Sequence, residues 1–183
     1  MKATGIVRRI DDLGRIVIPK EIRRTLRIRE SDPLEIYTGA AGEVIFKKYS
    51  PIGELRVFAA DYADVLNRTA GISVVITDRD HVVAAAGVPR RDWMDARVSP
   101  LLERVMEARR LHVPAAGALA AADCPGQARR TVRVAAPIVS QGDVAGCVVF
   151  LSGEHPSAEA APAETELKLA GVAAALLSRQ LEE

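Results

Sequence analysis

Aromatic side chains make up only 4% of this 183-residue chain, and there is a single tryptophan, so its cores must be built from Val, Leu, Ile and Ala. Cysteine is also scarce. Cys124 and Cys147 stand far apart and outside any Cys-x-x-Cys pair, which argues against a disulfide scaffold or a zinc ribbon. His81, His112 and His155 fall in separate segments with no partner at helical spacing, so no metal site is expected. Gly-rich phosphate loops and Gly-x-Ser-x-Gly elbows are missing, and no cofactor or catalytic residue is expected. The longest apolar stretch, Val144 to Leu151, is far below the roughly 18 residues that span a bilayer, and no signal-length run follows Lys2. The chain is therefore placed in the cytoplasm, away from any membrane.

Net charge is nearly absent too, at +1, but the two signs are unevenly shared. Residues 1–50 carry 11 Lys and Arg against 7 Asp and Glu, and within residues 1–29 the counts are 9 against 3. The remainder holds 14 basic and 17 acidic residues. A basic end on an otherwise balanced chain points to a polyanion partner.

The basic end has a legible pattern. Ile6, Arg8 and Ile10 alternate with Val7, Arg9 and Asp11, as in a strand with arginine on both faces. Asp12-Leu13-Gly14 turns the chain into a second strand, Arg15 to Ile18. Pro19 suits the first position of a short helix, where its fixed φ and missing N–H cost little. Ile22 and Leu26 form that helix's apolar stripe, and Lys20, Arg23, Arg24 and Arg27 flank it. Pro33–Tyr37 and Glu43–Lys47 read as a hairpin around a glycine-bearing loop. So small a unit buries little of its surface, and without metal or disulfide it is expected to pair with another copy.

Ser50-Pro51-Ile52-Gly53 breaks the composition, dividing the chain into domains at 1–52 and 53–183. The spacing then predicts a helix near 54–67 and strands at 72–77 and 82–86, around the polar turn 78–81. A helix capped by Ser99-Pro100 follows. Residues 117–127 read as an Ala-rich loop. Strands at 131–139 and 144–151 and a final helix near 163–181 complete an α+β layout with an antiparallel sheet. Leu167, Ala170, Ala174, Leu177 and Leu181 form a seam on the last helix that suits either a helix dimer or the chain's own sheet. Cys147 reads as a buried small hydrophobe, Cys124 as a loop thiol, and Trp93 as a packing residue. Asp11, Asp12 and Glu21, each near arginines, read as orienting ion-pair partners.

The run Thr4-Gly5-Ile6-Val7-Arg8-Arg9-Ile10-Asp11-Asp12-Leu13-Gly14-Arg15-Ile16-Val17-Ile18-Pro19-Lys20-Glu21-Ile22-Arg23-Arg24-Thr25-Leu26 resembles the DNA-binding domain of the AbrB family of transition-state regulators. With its second domain, the whole chain is similar to the SpoVT branch of that family. This resemblance implies an N-terminal, β-rich swapped-hairpin dimer (AbrB-like) and a C-terminal α+β GAF-like domain with an antiparallel sheet. It also implies assembly to a tetramer, nucleoid association, and control of sporulation genes as activator or repressor. Double-stranded DNA would be contacted by Arg8, Arg9, Arg15, Arg23 and Arg24, with Lys2 and Lys20 as further contacts. The C-terminal domain would assemble dimers or take a small-molecule ligand. The chain departs from the family pattern most between Pro114 and Ala122. Because no helix is long and basic, readout is expected to combine phosphate contacts with DNA shape and to tolerate sequence variation. Two rival readings are an antitoxin-like autorepressor, which usually carries an acidic tail instead of a second folded domain, and a redox protein working through Cys124.

Overall fold

The computed structural model describes residues 5–114, 130–152 and 163–182. Cys124, His155 and Lys2 lie outside the described residues, as does most of the Ala-rich segment. The chain forms two compact units, divided between Tyr49 and Ser50.

In the first unit, residues 5–18 run without regular secondary structure around a turn at 12–14. Strands predicted at 6–11 and 15–18 are not formed within this single chain, because neither segment finds a ladder partner beyond the turn. Helix α1 (Lys20–Thr25) follows. Pro19 caps α1 from one residue before its first turn, and its carbonyl accepts from Arg23 N at 3.0 Å. Strands β1 (Leu34–Thr38) and β2 (Val44–Lys48) pair antiparallel, one residue further along than predicted, with Ile36 opposite Phe46. Lys48 ties this hairpin to the segment before it, reaching Asp32 Oδ2 at 3.4 Å and donating to the Arg27 carbonyl at 3.1 Å.

The two tight loops of this unit, at 11–15 and 39–43, share one design. Asp11 N donates to Arg15 O and Gly14 N to Asp11 O, while Gly39 N donates to Glu43 O and Gly42 N to Gly39 O. Gly14 (φ 74°) and Gly42 (φ 86°) occupy the same left-handed position, which only glycine takes without steric cost.

The second unit is a four-stranded antiparallel sheet of order β4-β3-β6-β5. Its elements are α2 (Pro51–Glu54), α3 (Arg56–Ala70), β3 (Ser73–Thr77), β4 (Val82–Ala86), α4 (Arg90–Trp93), α5 (Pro100–Ala108), β5 (Val132–Ser140), β6 (Asp143–Leu151) and α6 (Glu164–Gln180). The predicted helix near 54–67 is two helices that break at Leu55. Ser50 Oγ accepts from Gly53 N to cap the first, and the second stops at Gly71. Ser99 Oγ caps α5 by accepting from Leu102 N at 3.4 Å, as the Ser-Pro pair implies.

Alternation along the strands sorts the core into two faces. Val74, Ile76, Val148 and Phe150 point to the side covered by α3 and α6, where Ala59, Ala63, Leu66, Ala170, Ala174 and Leu177 meet them. Val75, Cys147 and Val149 face the other way, toward Trp93, Val98, Leu102 and Met106. The α6 seam thus packs on its own sheet, not on another helix. The spacing of Leu55, Phe58, Tyr62, Val65 and Leu66 puts them on one side of the helix predicted at 54–67, but Val65 is exposed, because the small side chains of Ala59 and Ala63 make the close approach instead. Trp93 is fully buried, consistent with a packing role. Burial pushes the Cys147 thiol far above its ordinary pKa, so it stays protonated and inert.

Candidate nucleic-acid interface

The basic residues of the first unit are displayed rather than buried. Arg8 and Arg9 precede the 11–15 loop, Arg15 closes it, and Lys20, Arg23 and Arg24 ride on α1; all six are exposed. Apart from Arg15, none of them makes an ion pair among the described residues. Their charges are therefore uncommitted among the described residues, as a surface for phosphates requires. Arg23 and Arg24 fall in the last turn of α1, where the helix carbonyls favour cations.

One side chain is held. Arg15 Nε donates to Asp11 Oδ2 at 2.8 Å, while Asp11 Oδ1 accepts from Leu13 N at 3.0 Å and from Arg15 N at 2.8 Å. The backbone N–H of Arg15, then its guanidinium, hold the Asp11 carboxyl below its usual pKa, so it is ionised at neutral pH. Asp11 is the ion-pair partner expected from the sequence; Asp12 and Glu21 are exposed and make no ion pair among the described residues. Sequence reasoning did not resolve that Asp11 also builds the loop. The signal was local: an aspartate whose side chain can reach the N–H groups two and four residues on.

The apolar residues around these arginines are exposed as well. Val7 is 88% exposed, Val17 71% and Ile16 44%, and Ile6, Ile10, Leu13 and Leu26 are also open. Among the described residues of the first unit only Pro19 is buried. In the second unit, His81 and His112 lie apart, each at an isolated backbone bridge, and the described residues hold no cluster with metal-ligand composition. No described helix is long and apolar enough to cross a membrane.

Stage V sporulation protein T of Bacillus subtilis (strain 168) is 48% identical to this chain over 184 residues, covering all of both proteins. Residues 54–182 match the family described as stage V sporulation protein T C-terminal, transcription factor. The chain belongs to the stage V sporulation protein T family. Residues 7–53 match a second family model, that of the MazE antitoxin, described as antidote-toxin recognition. The solution structure of the N-terminal DNA recognition domain of Bacillus subtilis AbrB is 61% identical, covering 28% of this chain and 94% of that one, with a TM-score of 0.25. A GAF domain/HD domain protein from Geobacter sulfurreducens is similar over 69% of this chain and 94% of its own at 17% identity, with a TM-score of 0.49. The arginine-bearing loop and α1 lie in the residues matched by the second family model, and the four-stranded sheet lies in those matched by the C-terminal transcription-factor model.

Proposed function

We propose that this chain is a DNA-binding transcription regulator of sporulation genes, whose first unit pairs with a second copy and presents Arg8, Arg9, Arg15, Arg23 and Arg24 to duplex DNA. Lys2 and Lys20 add phosphate contacts. The observation that carries this reading is the coincidence, in one segment, of uncommitted arginines and exposed apolar side chains. The 61% identity to a DNA recognition domain supports it. The segments 6–10 and 16–18, without a ladder partner among the described residues and bearing Ile6, Val7, Ile16 and Val17 in the open, support pairing through exchanged hairpins. Pairing doubles the basic surface. Arginine suits the task because its planar fork grips phosphate or the O6/N7 edge of guanine.

In the same reading, the second unit multiplies and regulates this surface as a GAF-like module. Val57 and Val65 on α3, and Val172 and Leu176 on α6, leave apolar side chains open on helix faces turned from the sheet. They support assembly of two dimers into a tetramer. Linking two DNA-binding dimers raises their effective local concentration, so modest contacts combine into firm occupancy. Ligand sensing would add control to that assembly. An autorepressing antitoxin is the rival reading, favoured by the MazE match over residues 7–53.

The test is fluorescence anisotropy on the full chain with labelled duplex, using Arg15→Ala, Arg23→Ala and Arg24→Ala. Each should weaken binding by about tenfold or more, with assembly and unfolding midpoint unchanged. Unchanged affinity for all three would remove them from the interface. A toxin partner co-purifying with the native protein would favour the antitoxin reading.

A further inference from the structure

The two oxygens of Asp11 have separate tasks. Oδ1 accepts from two backbone N–H groups and shapes the loop, whereas Oδ2 accepts from Arg15 Nε alone. The arginine is thereby anchored by one nitrogen, while its Nη1 and Nη2 groups make no bond to the chain among the described residues. The Arg15 side chain remains 68% exposed. That free edge is the geometry a bidentate contact with guanine needs. An isolated surface pair would be too mobile to aim anything. Here the carboxylate is already immobilised by the loop, so holding the guanidinium orders one side chain instead of two.

We propose that Asp11 is a positioning residue for sequence readout: it aims Arg15 at a base edge, and its negative charge opposes indiscriminate phosphate binding. The inference rests on the reading of Arg15 as a DNA contact. It predicts that a carboxylate beside the DNA lowers affinity for arbitrary sequence yet raises discrimination, an effect that charge bookkeeping alone does not give.

Asp11→Asn separates the two oxygens. The amide oxygen can still accept the backbone N–H groups and keep the loop, but the amide nitrogen is a donor and cannot hold Arg15 Nε. Full-length protein would be titrated with a duplex selected by the wild-type protein from a random pool, and with a scrambled duplex of equal length and composition. Affinity for the scrambled duplex should rise in D11N, while the selected-to-scrambled ratio should fall about fivefold or more. A rise in both affinities with an unchanged ratio would overturn the proposal, because it would leave Asp11 only a repelling charge. The double variant D11N/R15K supplies a second measurement. Lysine lacks the fork, so D11N should change the ratio no further in that background; additive effects would also overturn the proposal. If the wild-type protein bound neither duplex, the DNA-binding reading itself would fail, and that outcome is distinct from an unchanged ratio.

Discussion

The two units of this chain handle the same apolar residue types in opposite ways. In residues 50–182 the valines, alanines and isoleucines of one sheet are closed in on both faces, by α3 and α6 on one side and by the Trp93–Met106 region on the other. In residues 5–49 comparable side chains, Val7, Ile10, Ile16, Val17 and Ile36, stand in the open. Composition alone does not create the difference. The second unit has enough chain to wrap a sheet, whereas the first has one two-stranded hairpin and a six-residue helix. A unit of that size usually needs a metal, a disulfide or a second copy to close a core. Self-sufficiency in one region and insufficiency in the other suit a regulator whose DNA-reading surface would form by pairing.

That contrast can be broken or sharpened by substitution. Phe150→Ala should cost the second unit about 3–5 kcal/mol, because it empties a fully buried site between sheet and helices. Urea unfolding would measure this; a small loss would mean that the second unit also borrows its core. Ile16→Ala should cost about 2 kcal/mol if pairing buries Ile16, and the first unit's transition should then shift with concentration. A cost below about 0.5 kcal/mol, as expected for a surface site, would show that this side chain stays open and would count against exchanged hairpins. Thr77→Val has the smallest effect and the opposite sign. Thr77 Oγ1 is buried with no hydrogen-bond partner among the described residues, so replacing the hydroxyl by a methyl should raise stability by about 1 kcal/mol. Loss of stability on thermal melting would show that the hydroxyl is engaged.

Local chemistry explains which parts were readable beforehand. Ser99-Pro100 announced the start of α5, Gly14 and Gly42 marked loops, and the runs at 131–139 and 144–151 became β5 and β6 with small shifts at their ends. Each depends on residues close in sequence. The short helix α4 was not anticipated, since four residues carry no periodicity; the fold buries Trp93 and the chain turns around it. Val65 was assigned to the wrong face of its helix because alanines, weak in any hydrophobic pattern, allow the closest packing. Strands at 6–11 and 15–18 are absent from the single chain for a different reason: a strand is defined by its partner, and sequence alternation does not say which chain supplies one.

Among the residues of the candidate interface, the sequence alone determined the kinds of group and their order: arginines before, at and after a loop, then on a short helix. It also determined that Asp11 lay within reach of Arg15. Only the tertiary structure decided that the two carboxylate oxygens divide their work, that Arg15 is tethered to one of them, and that the α6 seam is spent on its own sheet. The reason is physical. Charge, turn chemistry and capping act over a few residues and can be read along the chain, whereas burial and the choice of hydrogen-bond partner depend on what the fold brings near.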